Sequence, residues 1–203
     1  TQHPTPAPAS TISATTTKNL PYTINTFSKH QGWEGWWGDF SVATDSLSVG
    51  ADAGGTSGGA LLGGTDAWGD YKFDATVDLI KGETFSLMAW YVDSNNYVQC
   101  LFDGEAPGVM HIEFQQYING NEYTVAEGDD NNFYQESASN IDASILVQGN
   151  EGSCSFDSHL VSTIGSGNSI NPPYHGGIGI STWDPATGNS QIIVKQISVT
   201  PLQ

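Results

Sequence analysis

The sequence predicts an all-β protein, a sandwich or barrel of short strands, and three observations carry that expectation. The 203 residues are rich in Gly, Thr, Ser, Asn and aromatics and poor in long aliphatic helix formers, and no segment has the period of a persistent amphipathic helix. Strand-like runs follow one another from Tyr22 onward, separated by turn residues. Several of those runs alternate apolar and polar side chains with period two, as a strand with one buried and one wet face must. A chain of this length makes one sizeable core, so a single domain is expected.

Residues 1–20, TQHPTPAPASTISATTTKNL, alternate Pro with small polar residues and then run through Thr, the composition of an extended spacer that cannot build a core. They read as a linker or stalk before one domain over residues 21–203. A tail of this composition becomes ordered only by packing on something, and a homo-oligomer built through this N-terminal segment is one expectation. Within the domain, strands are predicted over 71–79, 84–92, 97–103, 109–117, 122–126, 141–148, 177–181 and 191–199. Turns are expected at Lys81-Gly82, Ser94-Asn95-Asn96, Pro107-Gly108, Asn119-Gly120 and Gln148-Gly149-Asn150. Asn119-Gly120 carries the signature of a type I′ hairpin, in which both central residues take positive φ. The first run is the cleanest: Tyr71, Phe73, Ala75, Val77 and Leu79 fall on one face, and Lys72, Asp74, Thr76 and Asp78 on the other. Strands at this spacing with no helices between them mean a sandwich or a barrel.

Charge narrows the partners. The chain carries 22 acidic residues against five Lys and no Arg, a formal net charge of −17. Such a surface repels phosphate backbones and lacks the guanidinium fork that grips them, so nucleic acid is excluded as a partner. Hard cations are the small partners that suit this field. No apolar run is long enough to span a bilayer, so no direct membrane insertion of this region is expected. The two cysteines, Cys100 and Cys154, are expected to form one disulfide in an oxidising compartment, which fits a secreted or cell-surface location.

The order of the pieces resembles a known group. Trp68-Gly69-Asp70-Tyr71, followed by Tyr91-Val92-Asp93-Ser94-Asn95-Asn96-Tyr97, is similar to the corresponding stretches of concanavalin A-like jelly rolls of the laminin-G and 3-keto-disaccharide-hydrolase-like group. Residues 145–150 resemble a strand and turn of that group, and 176–183 with 197–202 resemble its closing strands. The resemblance covers roughly residue 33 to the C-terminus and implies a two-sheet antiparallel jelly-roll sandwich. It implies function only coarsely, because the group holds sugar-binding modules, adhesion domains and hydrolases, and no matched residue is a catalytic signature. One departure is Trp90, where many relatives carry Arg.

Three constellations could carry chemistry. Trp33, Trp36 and Trp37 stand among glycines and carboxylates in GWEGWWGDF, a set that suits stacking on a saccharide, and equally suits capping the end of a core. In the run from His111, period two puts His111, Glu113, Gln115 and Tyr117 on one face, and a neighbouring strand 97–103 would add Gln99 and Asp103 to it. Glu113 and Asp103 would then be the weak candidates for a glycosidase pair. The oxygen-rich stretches with Asp93 and Asn95, and with Asp129 and Asp130, could wrap Ca²⁺, although neither has the ligand pattern of an EF-hand and no cofactor is required. The five histidines have no zinc-site spacing. Together these features predict a non-catalytic extracellular or cell-surface module that binds a polysaccharide or surface glycan or serves adhesion. The alternatives are a structural subunit of a surface filament or envelope assembly, and a glycoside hydrolase with Glu113 on a concave face.

Overall fold

The computed structural model describes residues 17–27, 31–52, 55–106, 108–131, 138–157, 159–163, 168–171, 173–184 and 189–202. Most of the Pro/Thr-rich stretch, together with His3, His30, Pro107 and Asn132, lies outside them. The strands are β1 (Tyr22–Ile24), β2 (Trp33–Trp37), β3 (Asp39–Val42), β4 (Leu47–Gly50), β5 (Ser57–Leu62), β6 (Tyr71–Lys81), β7 (Thr84–Asp93) and β8 (Asn96–Ala106). They continue with β9 (Val109–Ile118), β10 (Asn121–Asp130), β11 (Ile141–Gln148), β12 (Glu151–Phe156), β13 (His159–Ser162), β14 (Gly177–Trp183) and β15 (Gln191–Pro201). All pair antiparallel, in an eight-stranded sheet of order β13-β12-β11-β6-β15-β4-β3, with β1 also on β15, and a seven-stranded sheet of order β10-β9-β8-β7-β14-β5-β2. This is the two-sheet jelly-roll sandwich that the sequence predicts.

Each predicted run is a strand, and the alternation of the first is realised in full: its odd-numbered residues from Tyr71 to Leu79 are buried between the sheets while Lys72, Asp74, Thr76 and Asp78 face outward. The core also holds Phe85, Phe102, Phe114 and Phe156, each essentially sealed from solvent, and burial of such a ring stabilises the fold by about 1.5–3 kcal/mol. Phe85 and Phe102 are a cross-strand pair, stacked with centroids 4.8 Å apart. Asn119 and Gly120 take φ of 51° and 77°, as the type I′ turn between β9 and β10 requires. β10 runs on past the predicted 122–126, so the oxygen-rich stretch through Asp129 and Asp130 is its last part.

Cys100 on β8 and Cys154 on β12 are joined, with Cα atoms 5.5 Å apart, so the disulfide ties one sheet to the other through the core. The described part of the N-terminal stretch lies against its own domain. Lys18 donates from its backbone N–H to Gly64 O (2.7 Å) and from Nζ to Gly63 O (2.7 Å), and β1 extends the eight-stranded sheet.

The motif from Trp68 to Tyr71 stitches the ends of the sandwich. Trp68 Nε1 donates to Lys18 O (2.8 Å), Trp90 Nε1 to Gly69 O (2.7 Å), and the backbone N–H of Gly149 to Asp70 Oδ1 (3.1 Å). Tyr71 OH accepts from the backbone N–H of Trp90 (2.9 Å) and donates to Gly177 O (3.2 Å). These bonds hold Trp90 at φ 46°, a conformation costly for a bulky residue. The irregularity re-phases β7. Ser86 and Met88 point outward by parity, but Trp90 turns into the core, and Tyr91 lands on the outer face. Gly176, at φ 150°, fits against this turn because a Cβ there would lie 2.5 Å from the Trp90 carbonyl carbon.

Candidate functional site

The outer face of the seven-stranded sheet gathers the polar residues. Pairing of β8 with β9 sets Gln99 opposite Gln115, Leu101 opposite Glu113 and Asp103 opposite His111. On the other side, β10 brings Thr124 beside Gln115, Glu127 beside Glu113 and Asp129 beside His111. A bulge at Val125 keeps Thr124 and Glu127 on the same face although they are three residues apart. His111, Glu113, Gln115, Gln99 and Asp103 therefore share one surface.

A hydrogen-bond chain organises that surface. Gln99 Nε2 donates to Gln115 Oε1 (2.6 Å), and Gln115 Nε2 donates to both Glu113 Oε2 (2.8 Å) and Glu122 Oε1 (3.0 Å). Thr124 Oγ1 donates to Glu113 Oε2 (2.7 Å) and Tyr117 OH to Glu122 Oε2 (2.6 Å). Gln99 and Gln115 are 3% and 2% exposed, so they form the layer beneath the surface and position the carboxylates above. Asp103 accepts from Thr84 Oγ1 (2.7 Å) and lies diagonal to Glu113, about 7–8 Å away by the spacing of such pairs.

His111 bridges two carboxylates, with Nδ1 2.7 Å from Asp129 and Nε2 3.2 Å from Glu113. Partial burial pulls its pKa down, but the hydrogen bond and charge of Asp129 and the charge of Glu113 outweigh this and hold it above the ordinary value of 6.5. Because folding raises this pKa, the imidazolium contributes stability that is fully present below the unfolded value and lost as pH rises through the folded one. An NMR titration of His111 is expected to give a midpoint above 6.5, and Asp129→Asn to lower it. A midpoint at or below the ordinary value would show that the two carboxylates do not hold the ring.

The other half of the face is aromatic. A bulge in β2 between Gly35 and Trp37 turns two consecutive indoles, Trp36 and Trp37, to the outside. The Trp37 ring lies over Gly59, where a Cβ would approach it to 3.1 Å, and Gly179 leaves room for Leu61 and Met88. Trp36 reaches across to Tyr91 (5.1 Å between centroids) and Tyr97 (6.2 Å), and Tyr97 stacks on Tyr117 at 4.4 Å. These rings, with Leu61 and Met88, form an apolar cluster separate from the main core. Burial raises the pKa of the Tyr91, Tyr97 and Tyr117 hydroxyls, which stay protonated.

The tryptophan run, which the sequence offers either as a saccharide stack or as a cap on the core, is divided by this packing. Trp33 is 6% exposed and belongs to the core between the sheets, because its partner Leu62 faces inward. Trp36 is 8% exposed, sealed by its aromatic neighbours. Trp37 alone of the three is half-buried. Among the described residues the indole N–H groups of all three are buried without an acceptor.

Glu122 and Thr124 are not among the site residues that the sequence offers, and Tyr91 and Tyr97 stand there only in the fold resemblance. Period two within β10 would have shown that Glu122 and Thr124 share a face, but their partnership with Gln115 needs the register. The two oxygen-rich stretches do not converge: Asp93 and Asn95 form the β7–β8 turn, where Asp93 Oδ1 accepts from the Asn95 N–H (2.7 Å), while Asp129 and Asp130 pair with the other end of β9. Among the described residues no group of three or more His, Cys, Asp or Glu is placed to hold a metal ion. Grooves of about 370 and 640 Å³ open on the outside of the eight-stranded sheet. The first is lined by Lys72, Asp74, Asp142 and small hydroxyls, and the second by Asp39, Phe40, Lys81 and Gln191; neither holds a linked donor-acceptor network like that around Gln115.

The fold is that of the concanavalin A-like jelly rolls. Among solved structures the chain is similar to a carbohydrate-binding module, CBM66, from Bacillus subtilis, with TM-score 0.61 at 14% identity over 84% of this chain and 96% of that one. It is similar to the Ca²⁺-bound exoplasmic/lumenal domain of VIP36, with TM-score 0.64 at 9% identity over 84% of each chain. It is also similar to a prokaryotic β-1,3-1,4-glucanase (lichenase) from a mouse hindgut metagenome, with TM-score 0.64 at 13% identity over 89% of this chain and 99% of that one. At these identities the likeness is one of fold. No protein-family model matches the chain, and no curated protein does.

Proposed function

We propose that the protein is an extracellular or lumenal glycan-binding module and that the outer face of β8, β9 and β10 is its binding surface. The observation that carries this reading is the pair of carboxylates, Glu113 and Glu122, held ready by one buried amide, Gln115, beside an aromatic cluster. Carboxylates fixed in this way accept from sugar hydroxyls without first having to be ordered, which lowers the cost of binding. The similar solved structures include a carbohydrate-binding module and a mannose-bound form of VIP36, which supports a glycan as ligand. The disulfide supports an oxidising location.

A glycan array identifies the ligand, and Gln115→Leu tests the surface. Removal of the amide frees both carboxylates, and loss of hydrogen bonds to charged groups is expected to weaken binding by about tenfold or more. Unchanged affinity in a folded Gln115→Leu variant would move the site elsewhere. The array is repeated with calcium chelated: binding lost on chelation would show that the module needs Ca²⁺, with Asp93, Asn95, Asp129 and Asp130 as the candidate ligands to substitute next.

Hydrolysis is the second reading, favoured by the shared hydrogen bonds. Oxygens of Glu113 and Glu122 that contact one nitrogen at 2.8 and 3.0 Å bring the carboxyl groups near the roughly 5–5.5 Å separation of a retaining pair. It predicts turnover of a glycan that Glu113→Gln abolishes, whereas the binding reading predicts no turnover by either protein. Assembly through the N-terminal segment, residues 1–20, is tested by the mass in solution with and without that segment; a mass unchanged by its removal would exclude it from subunit contacts.

A further inference from the structure

We propose that the glycan taken by this face carries free amino groups, an inference that rests on the binding reading above. The first support is the direction of the hydrogen bonds. The donors of Gln115, Thr124 and Tyr117 are all turned onto Glu113 and Glu122, so what the network presents outward is acceptor oxygen. A ligand that fits must bring donors. Hydroxyls supply one each; an ammonium supplies three with a charge, and charge-assisted bonds to a carboxylate are about twice as strong as neutral ones. A uronate or sulfated sugar brings acceptors to acceptors.

The second support is where the cations are. Asp103, Glu113, Glu122, Glu127 and Asp129 share the face, and Glu113 stands directly opposite Glu127, an arrangement that repels within the free protein. Among the described residues the cationic group on these three strands is His111 alone, already placed between Glu113 and Asp129. The described lysines lie elsewhere: Lys72 and Lys81 on β6 and Lys195 on β15 belong to the other sheet, and Lys18 is bound at Gly63. Lys72 and Lys195 are paired there with Asp74 and Asp78. Among the described residues the lysines thus offset acidic groups on one sheet, while on the other His111 stands as the cationic group between Glu113 and Asp129, and a cationic ligand there would relieve the remaining repulsion.

The test compares oligomers of β-linked glucosamine, their N-acetylated counterparts, neutral glucose oligomers and a polyuronate, titrated below the pKa of the sugar amine at low and high salt. Two exposed charge pairs correspond to about a fivefold tighter dissociation constant for the amine than for its acetylated counterpart at low salt, narrowing as salt rises, with no binding of the polyuronate. Glu122→Gln combined with Asp129→Asn is expected to bring the amine-to-acetyl affinity ratio close to one. Asp74→Asn combined with Asp142→Asn, which removes as much charge from the opposite sheet, is expected to leave the ratio unchanged. Equal affinity for the amine and its acetylated form, tighter binding of the polyuronate, or an equal fall in the ratio for both double variants would overturn the inference; the last would mean attraction by net charge alone. In each of those cases binding of neutral oligomers would leave the glycan-binding reading standing. Failure of every oligosaccharide to bind would remove that reading and this inference together.

Discussion

Replacing Cys100 and Cys154 together by alanine is expected to lower the unfolding free energy by about 4 kcal/mol, because the bond spans a sequence separation of 54 and restricts the unfolded chain accordingly. The effect has a structural side as well. The disulfide joins β8, which carries Gln99 and Asp103 on its outer face, to β12 of the opposite sheet, so it anchors the platform of the site to the core. Urea unfolding of the oxidised protein and the double variant checks the figure. A loss below about 1 kcal/mol would show that packing between the sheets, not the cross-link, holds them together.

Tyr71→Phe is expected to cost about 1–3 kcal/mol although the ring and its burial are kept. Without the hydroxyl, the Trp90 N–H loses its acceptor deep in the core, and Gly177 O loses a donor. The consequence extends to the site, because the irregular turn at Trp90 is what places Tyr91 in the outer aromatic cluster. A looser turn should weaken the near-UV circular dichroism of that cluster and reduce glycan affinity, although Tyr71 lies between the sheets. If stability falls while the aromatic signal and the affinity are both kept, the hydroxyl serves the core alone.

Much of the polar half of the site was legible in the chain itself. Period two in a strand is a local rule, so His111, Glu113, Gln115 and Tyr117 could be assigned to one face without knowledge of any neighbour. Adjacent strands joined by a short turn form a hairpin, so pairing with 97–103 adds Gln99 and Asp103 to that face. The aromatic half was not legible, for a specific reason. Bulges at Trp36 and Trp90 each break the alternation, sending Tyr91 outward, Trp90 inward and two successive indoles to the same side. Alternation alone cannot reveal a bulge, because the irregularity is held by distant groups such as the Tyr71 hydroxyl.

What the sequence determined by itself was the class of fold, the disulfide and the polar identity of the central strand, all of which follow from composition, cysteine count and local periodicity. The tertiary structure alone decided that Trp33 is core, that Gln99 and Gln115 lie beneath the surface as supports, and that Glu122 joins Glu113 over one amide. It also decided that the two acidic stretches stand at opposite ends of their strands. Each of these depends on which strand lies beside which and in what register, and register is set by the summed packing of both sheets rather than by any single segment.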